Sequence, residues 1–85
     1  MGPGDEVLAI FPDARLVASH TWKTDLRGWQ VTIAGEPGCW RCFLRFGDLD
    51  VRGYGDAVHL QTAFDEARLD VYKQYEALRS AVEVL

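Results

Sequence analysis

Two cysteines three positions apart, in Cys39-Trp40-Arg41-Cys42, are the residues of this chain whose spacing most directly suggests chemistry. A pair of this kind can place two thiolates on one Zn²⁺ or cycle as a redox dithiol. His20 and His59 would complete a Cys₂His₂ set, but each stands alone, without the paired histidine spacing of a zinc finger. A redox pair sits where a strand meets a helix N-terminus, whose positive end lowers a thiol pKa. Here a strand-forming run follows instead. Positions i and i+3 of a strand face opposite sides, which separates the two sulfurs. The expectation is a buried structural Cys42, a half-exposed Cys39, and no metal or cofactor.

Other routes to catalysis are weaker. Ser19 and His20 are neighbours, and neighbours on a strand point to opposite faces, so they do not make a dyad. His59 stands near Asp56 at the entry to a helix and reads as part of that boundary. Gly53-Tyr54-Gly55 lacks the further Gly or Lys of a phosphate loop and reads as a strand end. Asp48 and Asp50 flank a turn and read as solvated. A chain of 85 residues also has few walls with which to exclude water from a pocket. The chain reads as a non-enzyme, with no catalytic residue.

The elements that position these residues follow from periodicity. Leu60, Phe64, Ala67, Val71, Tyr75, Leu78, Val82 and Leu85 recur every three or four residues without an intervening Gly or Pro. This spacing predicts one long helix over Leu60–Leu85, capped by Asp56 or by Thr62 with Asp65 three residues on. A short helix is expected over Gly4–Phe11, with Asp5 and Glu6 in its first turn and Pro12 as its stop. Between the helices, strands are expected over 14–22, 29–33, 39–46 and 49–54. Their connections are Lys23–Gly28, Gly35-Glu36-Pro37-Gly38 and Gly47-Asp48, and Gly55 with Asp56 opens the linker to the helix. The fold class is α+β, a two-layer sandwich in one domain spanning residues 1–85. A four-stranded antiparallel meander carries both helices on one face, in the order αββββα. That order resembles the αβββα arrangement of double-stranded-RNA-binding domains in element order alone. The last helix opens on Thr62-Ala63-Phe64-Asp65-Glu66, with no basic cluster there, and no family is assigned.

Alternation then sorts the strands into faces. Trp29, Val31 and Ile33, with Trp40, Cys42, Leu44 and Phe46, form the core side, and Leu49 and Val51 join them. The outer side carries Gln30, Thr32, Arg41, Phe43, Arg45, Arg52 and Tyr54, a basic and aromatic set. Arg, Tyr and Phe are residues that anchor protein interfaces, and the same residues can stack on bases and pair with phosphates. On an ordinary solvated face the Arg stems would simply shield the rings. Leu69 and Tyr72 flank the helical stripe and extend the apolar surface unless the first helix covers them; this flank and the sheet edge are ready surfaces for a homodimer.

Charge separates the two binding readings. The net charge is −4, with −3 over residues 1–13, +2 over 14–55 and −3 over 56–85. Nucleic-acid affinity needs basic excess to displace counterions, and the acidic flanks favour a protein partner. The reading is a small acidic protein-binding module that occludes or bridges a partner, in the manner of inhibitors, immunity proteins and phage-encoded antagonists of host defence. Its partner-binding residues are Arg41, Phe43, Arg45, Arg52 and Tyr54, with Leu69 and Tyr72 as a second patch. Single-stranded nucleic-acid (RNA) binding through the same outer face is the alternative. Apolar content of 48 %, with no run long enough to span a bilayer and no targeting pattern at Met1-Gly2-Pro3-Gly4, leads to the expectation of a cytoplasmic protein without membrane contact.

Overall fold

Short turns decide how many strands this chain makes. The computed structural model describes residues 3–47 and 51–85. Helix α1 (Pro3–Ile10) precedes five strands: β1 (Arg15–Ala18), β2 (Thr21–Leu26), β3 (Trp29–Glu36), β4 (Cys39–Phe46) and β5 (Arg52–Ala57). Helix α2 (Leu60–Gln74), a 3₁₀ turn (Glu76–Leu78) and helix α3 (Arg79–Glu83) follow. The strands lie in chain order in a single antiparallel sheet, β1-β2-β3-β4-β5. The α+β class with an antiparallel sheet stands. The four-stranded count and the two-helix order do not, because the described residues form five strands and three α-helices.

The extra strand comes from a turn with no Gly or Pro. The segment 14–22, expected as one strand, folds back at Ser19-His20, where His20 sits at φ 56° and the register pairs Ala18 with Thr21. His enters the left-handed region more readily than most side chains do. Its carbonyl accepts from Gly35 N–H at 2.9 Å, which ties the turn to the end of β3. Lys23–Leu26, expected as a connection, is therefore most of β2. Arg27 and Gly28, at φ 50° and 89°, make the next turn with both central residues left-handed, the geometry that matches strand twist in a tight hairpin. The β3–β4 turn contracts to Pro37-Gly38, and Gly35 and Glu36 continue β3. Strand β4 has its expected bounds.

The last strand is displaced. β5 runs from Arg52 to Ala57, so Gly55 and Asp56, expected in a linker, are strand residues. The expected turn at Asp48 and the start of the strand at Leu49 lie outside the described residues. Helix α2 begins after His59 with no side-chain cap: Asp56 is too far upstream, on β5, and Thr62 lies inside the helix.

The core side of β5 is Gly53, Gly55 and Ala57, and α2 lies directly on it. A methyl group at Gly53 would run into Val71 and the Ala67 carbonyl, and one at Gly55 into the Ala63 carbonyl and Ala67 backbone. Helix and strand backbones are in contact, with Ala63 and Ala67 fully buried between them. Leu60, Phe64 and Val71 reach past β5 to join Trp40, Cys42 and Leu44 of β4 in the core. Phe11, at the end of α1, meets Phe64 edge-on at 5.0 Å, and Val7 is fully buried. Trp22 and Trp40 pack at 6.0 Å, and Trp29 against Phe46 at 4.6 Å.

The single long C-terminal helix is not formed. It breaks at Tyr75, where φ is −135° and ψ 78°, and resumes as the 3₁₀ turn and α3. The apolar stripe continues across the break, with Tyr75 and Leu78 half-buried and Val82 buried. Fifteen helical residues span about 22 Å at ~1.5 Å each. Strands of six to eight residues span about 20–26 Å. Past the break α3 lies on Trp29, whose indole N–H donates to the Ala81 carbonyl at 3.0 Å. No helix among the described residues is long and apolar enough to cross a membrane.

The helix–strand contact predicts that Gly53→Ala and Gly55→Ala each destabilise by about 1–3 kcal/mol through overpacking. Gly4→Ala, where nothing lies within 4 Å, should be neutral or mildly stabilising. Urea denaturation midpoints of the three variants check this; equal midpoints would mean that α2 does not rest on β5.

Candidate functional site

Cross-strand register brings outward-facing residues of the sheet into rows. One row crosses all five strands as Arg15, Lys23, Thr32, Phe43 and Tyr54. The row on one side is Asp25, Gln30, Arg45 and Arg52. On the other side, Thr21, Ala34, Arg41 and Asp56 are aligned. All of these are exposed except Thr21, Thr32 and Ala34, which are half-buried.

At the centre, the Phe43 and Tyr54 rings pack at 5.0 Å and an interplanar angle of 48° while remaining 40 % and 43 % exposed. Tyr54 is held at both ends. Its hydroxyl donates to Asp56 Oδ2 at 3.1 Å, and its backbone N–H donates to Asp70 Oδ2 of α2 at 2.9 Å. Desolvation raises the Tyr54 hydroxyl above the ordinary tyrosine range, the hydrogen bond and charge of Asp56 raise it further, and Arg41 partly offsets this. The ring pair is a fixed feature of the face. It borders an open depression of about 630 Å³ to which Lys23, Arg45, Arg52 and Asp70 also contribute.

The residues expected to bind a partner separate into two places. Arg41, Phe43, Arg45, Arg52 and Tyr54 share the outer face. Leu69, 50 % exposed, is left uncovered by α1 and lines a smaller hollow with Tyr54, Glu66, Asp70 and Lys73 around the β5 edge. Tyr72 is half-buried and lies under the Arg79 guanidinium of α3, 5.4 Å from the ring centroid. Lys23 was not among the expected residues because its segment read as a connection. The alternation Trp22, Thr24, Leu26 ahead of Arg27-Gly28 is the pattern that marks it as outward-facing. Asp70 and Gln74, which rim the depression, come from a helix and carry no strand signal.

The cysteines lie on opposite sides of the sheet. Cys39 is exposed and Cys42 fully buried, with burial pushing its thiol up to about 12 from 9.0. Cys39, His20, Glu36 and Arg41 border a separate hollow of about 370 Å³. Among the described residues, no three His, Cys, Asp or Glu side chains cluster to hold a metal ion.

Comparison of the chain with protein-family models, with curated proteins and with solved structures finds no match.

The thiol geometry predicts that Ellman's reagent labels Cys39 in the native protein and Cys42 only on unfolding. Because Cys42 titrates higher in the folded than in the unfolded chain, the unfolded state loses its proton first. Its contribution to stability is complete below about pH 9 and declines between about 9 and 12. Stability should therefore fall more steeply over that window in the native sequence than in Cys42→Ala, as measured by denaturation at a series of pH values.

Proposed function

We propose that this protein is a small non-catalytic binding module that occludes or bridges a partner protein through the outer face of its sheet. One observation carries the reading: the Phe43–Tyr54 pair is packed ring on ring yet exposed, between Arg45 with Arg52 on one side and Arg41 on the other. Aromatic and Arg side chains in a preorganised cluster are what interface hot spots are made of. Neither ring fills the core; as a cross-strand pair they support the sheet by about 0.2–1 kcal/mol and still leave much of their surface open to a partner. A role of the inhibitor, immunity or anti-defence kind, exercised in the cytoplasm, suits a compact one-domain protein of this size. Leu69, around the β5 edge, extends the same surface, whereas Tyr72 is engaged by α3.

A second reading is favoured by the same two exposed rings among cations, which could each stack on a base of a single strand. The protein reading ranks first because eight acids against three bases in the segments 3–13 and 60–85 oppose a polyanion.

The experiment is native mass spectrometry of the protein isolated from its source cells, beside Phe43→Ala/Tyr54→Ala. The double variant should keep its melting temperature within a few degrees while losing a stoichiometric protein adduct, with each ring contributing about 2 kcal/mol or more to binding. An adduct kept by the double variant, or no adduct in either, would overturn the reading. A nuclease-sensitive adduct whose salt slope drops by about one per Arg removed would establish the second.

A further inference from the structure

The middle row of the outer face is different on its two sides. In register it reads Arg15, Lys23, Thr32, Phe43 and Tyr54: two cations, a small hydroxyl, then two aromatic rings. Thr32 lies on β3, the central strand. Lys23 and Phe43 are one strand from it in opposite directions, and Arg15 and Tyr54 are two. The adjacent row divides in the same way, with Asp25 on β2, Gln30 on β3 and Arg45 on β4. Within one chain Asp25 and Arg45 are two strand spacings apart, about 10 Å, too far to pair. The remaining cations are already answered, since Arg41 is opposite Asp56 and Arg52 has an interaction of its own. Arg15 and Lys23 stand in no ion pair among the described residues.

A face divided in this way is complementary to itself. Resting on the protein-binding reading above, we infer that a second copy of this chain covers the outer face until another protein displaces it, the two copies related by a two-fold axis along β3. Such an axis lays β2 of one protomer over β4 of its partner and keeps each row over itself. Lys23 then meets the partner's Phe43, Arg15 reaches toward the partner's Tyr54, and Asp25 meets the partner's Arg45, each contact occurring twice. A cation over a ring gains as water leaves, and the Asp25–Arg45 pair fixes the register. Aligned sheets cross at about 30°, so the pairs on β2 and β4, nearest the axis, meet most closely. On the axis itself Gln30, Thr32 and Ala34 are uncharged. Glu36, at the hairpin end of β3, is the like charge opposed to itself, and it lies where twisted sheets diverge into water. Edge pairing is not the route: β1 has four residues with a register shift, and on β5 the Tyr54 N–H is taken by Asp70. Five strands of this length give a flat footprint of roughly 400–500 Å² per copy. That is the size of a transient interface, which a better-fitting protein can displace.

The test is sedimentation equilibrium of the pure full chain over a concentration series, with amide-shift NMR on dilution of the same samples. The chain should associate reversibly to a dimer with Kd on the order of 1–100 µM, and dilution should move the amides of Lys23, Thr32 and Phe43. Asp25→Arg and Arg45→Asp should each weaken the dimer about tenfold or more, and the double exchange Asp25→Arg/Arg45→Asp should restore it to within about threefold. Phe43→Ala should also weaken it about tenfold, whereas Arg41→Gln should change it by less than about threefold. If a single reversal disturbs folding, the restored dimer of the double exchange still decides the matter. A monomer at every concentration up to about 1 mM, a dimer that the double exchange does not restore, or dilution shifts confined to β1 or the helices would overturn the inference. If the chain is monomeric while an adduct with a different protein is still lost in Phe43→Ala/Tyr54→Ala, only this inference falls and the protein-binding reading stands. If the dimer forms as expected but the cells yield no adduct with a different protein, the second copy is the occupant of the face and the occluding or bridging reading falls.

Discussion

The contact between the α2 backbone and the backbone of β5 is the constraint on which the remaining structure depends. Gly53 and Gly55 remove every side chain beyond a hydrogen from the strand's core side at two of its three inward positions, and Ala63 and Ala67 do nearly the same for the helix. The helix axis therefore sits closer to β5 than side-chain packing would permit. From that position Leu60, Phe64 and Val71 reach β4, and Asp70 reaches around the strand to the Tyr54 N–H. Glycine in a strand is entropically costly. Here the loss is offset by close packing and by a helix that satisfies one backbone donor on an edge strand. The backbone of Tyr54, whose ring lies on the opposite side of the sheet, is thereby tied to α2.

Much of the architecture was legible because alternation in Trp29–Ile33 and Cys39–Phe46 is clean: each inward residue is a large apolar one and each outward residue polar, cationic or aromatic. The same alternation placed Phe43, Arg45, Arg52 and Tyr54 on one side. What stayed hidden depends on tertiary context. A Ser-His turn with a left-handed His carries no breaker residue, so β1 and the first two residues of β2 read as one strand, the rest of β2 reads as a connection, and Lys23 is lost from the face with it. Glycines at 53 and 55 weaken strand propensity, so they read as an ending, when their cause is the approach of another backbone. The bend at Tyr75 has no Pro or Gly to mark it, and the bond that ties α3 to Trp29 joins residues 52 positions apart, which helical periodicity does not encode.

Both layers share one electrostatic logic. The helical segments gather acids on the solvent side of the core, and the strands gather cations on the other, so a molecule of net charge −4 still presents a locally basic surface. Such a separation of charge exerts a torque on any charged molecule nearby, and its reach shrinks with the Debye length, about 8 Å in physiological salt.

The two edges of the sheet are unequal. β5 is sealed by α2, whereas all four residues of β1 are exposed, Leu16 at 64 % and Val17 at 51 %, and a register shift between Leu16 and Ala18 interrupts its pairing. A strand that buries so little adds little to the barrier against its own detachment, so β1 opens at a small fraction of the global unfolding free energy. Its amides should accordingly exchange with solvent sooner than those of β3 and β4. The shortness and irregularity that make β1 easy to release also deny a neighbouring chain a straight template on which to grow. The buried core is thus shared by the strands from β2 to β5 with their helices, and β1 lies along this four-stranded body without burying a residue of its own.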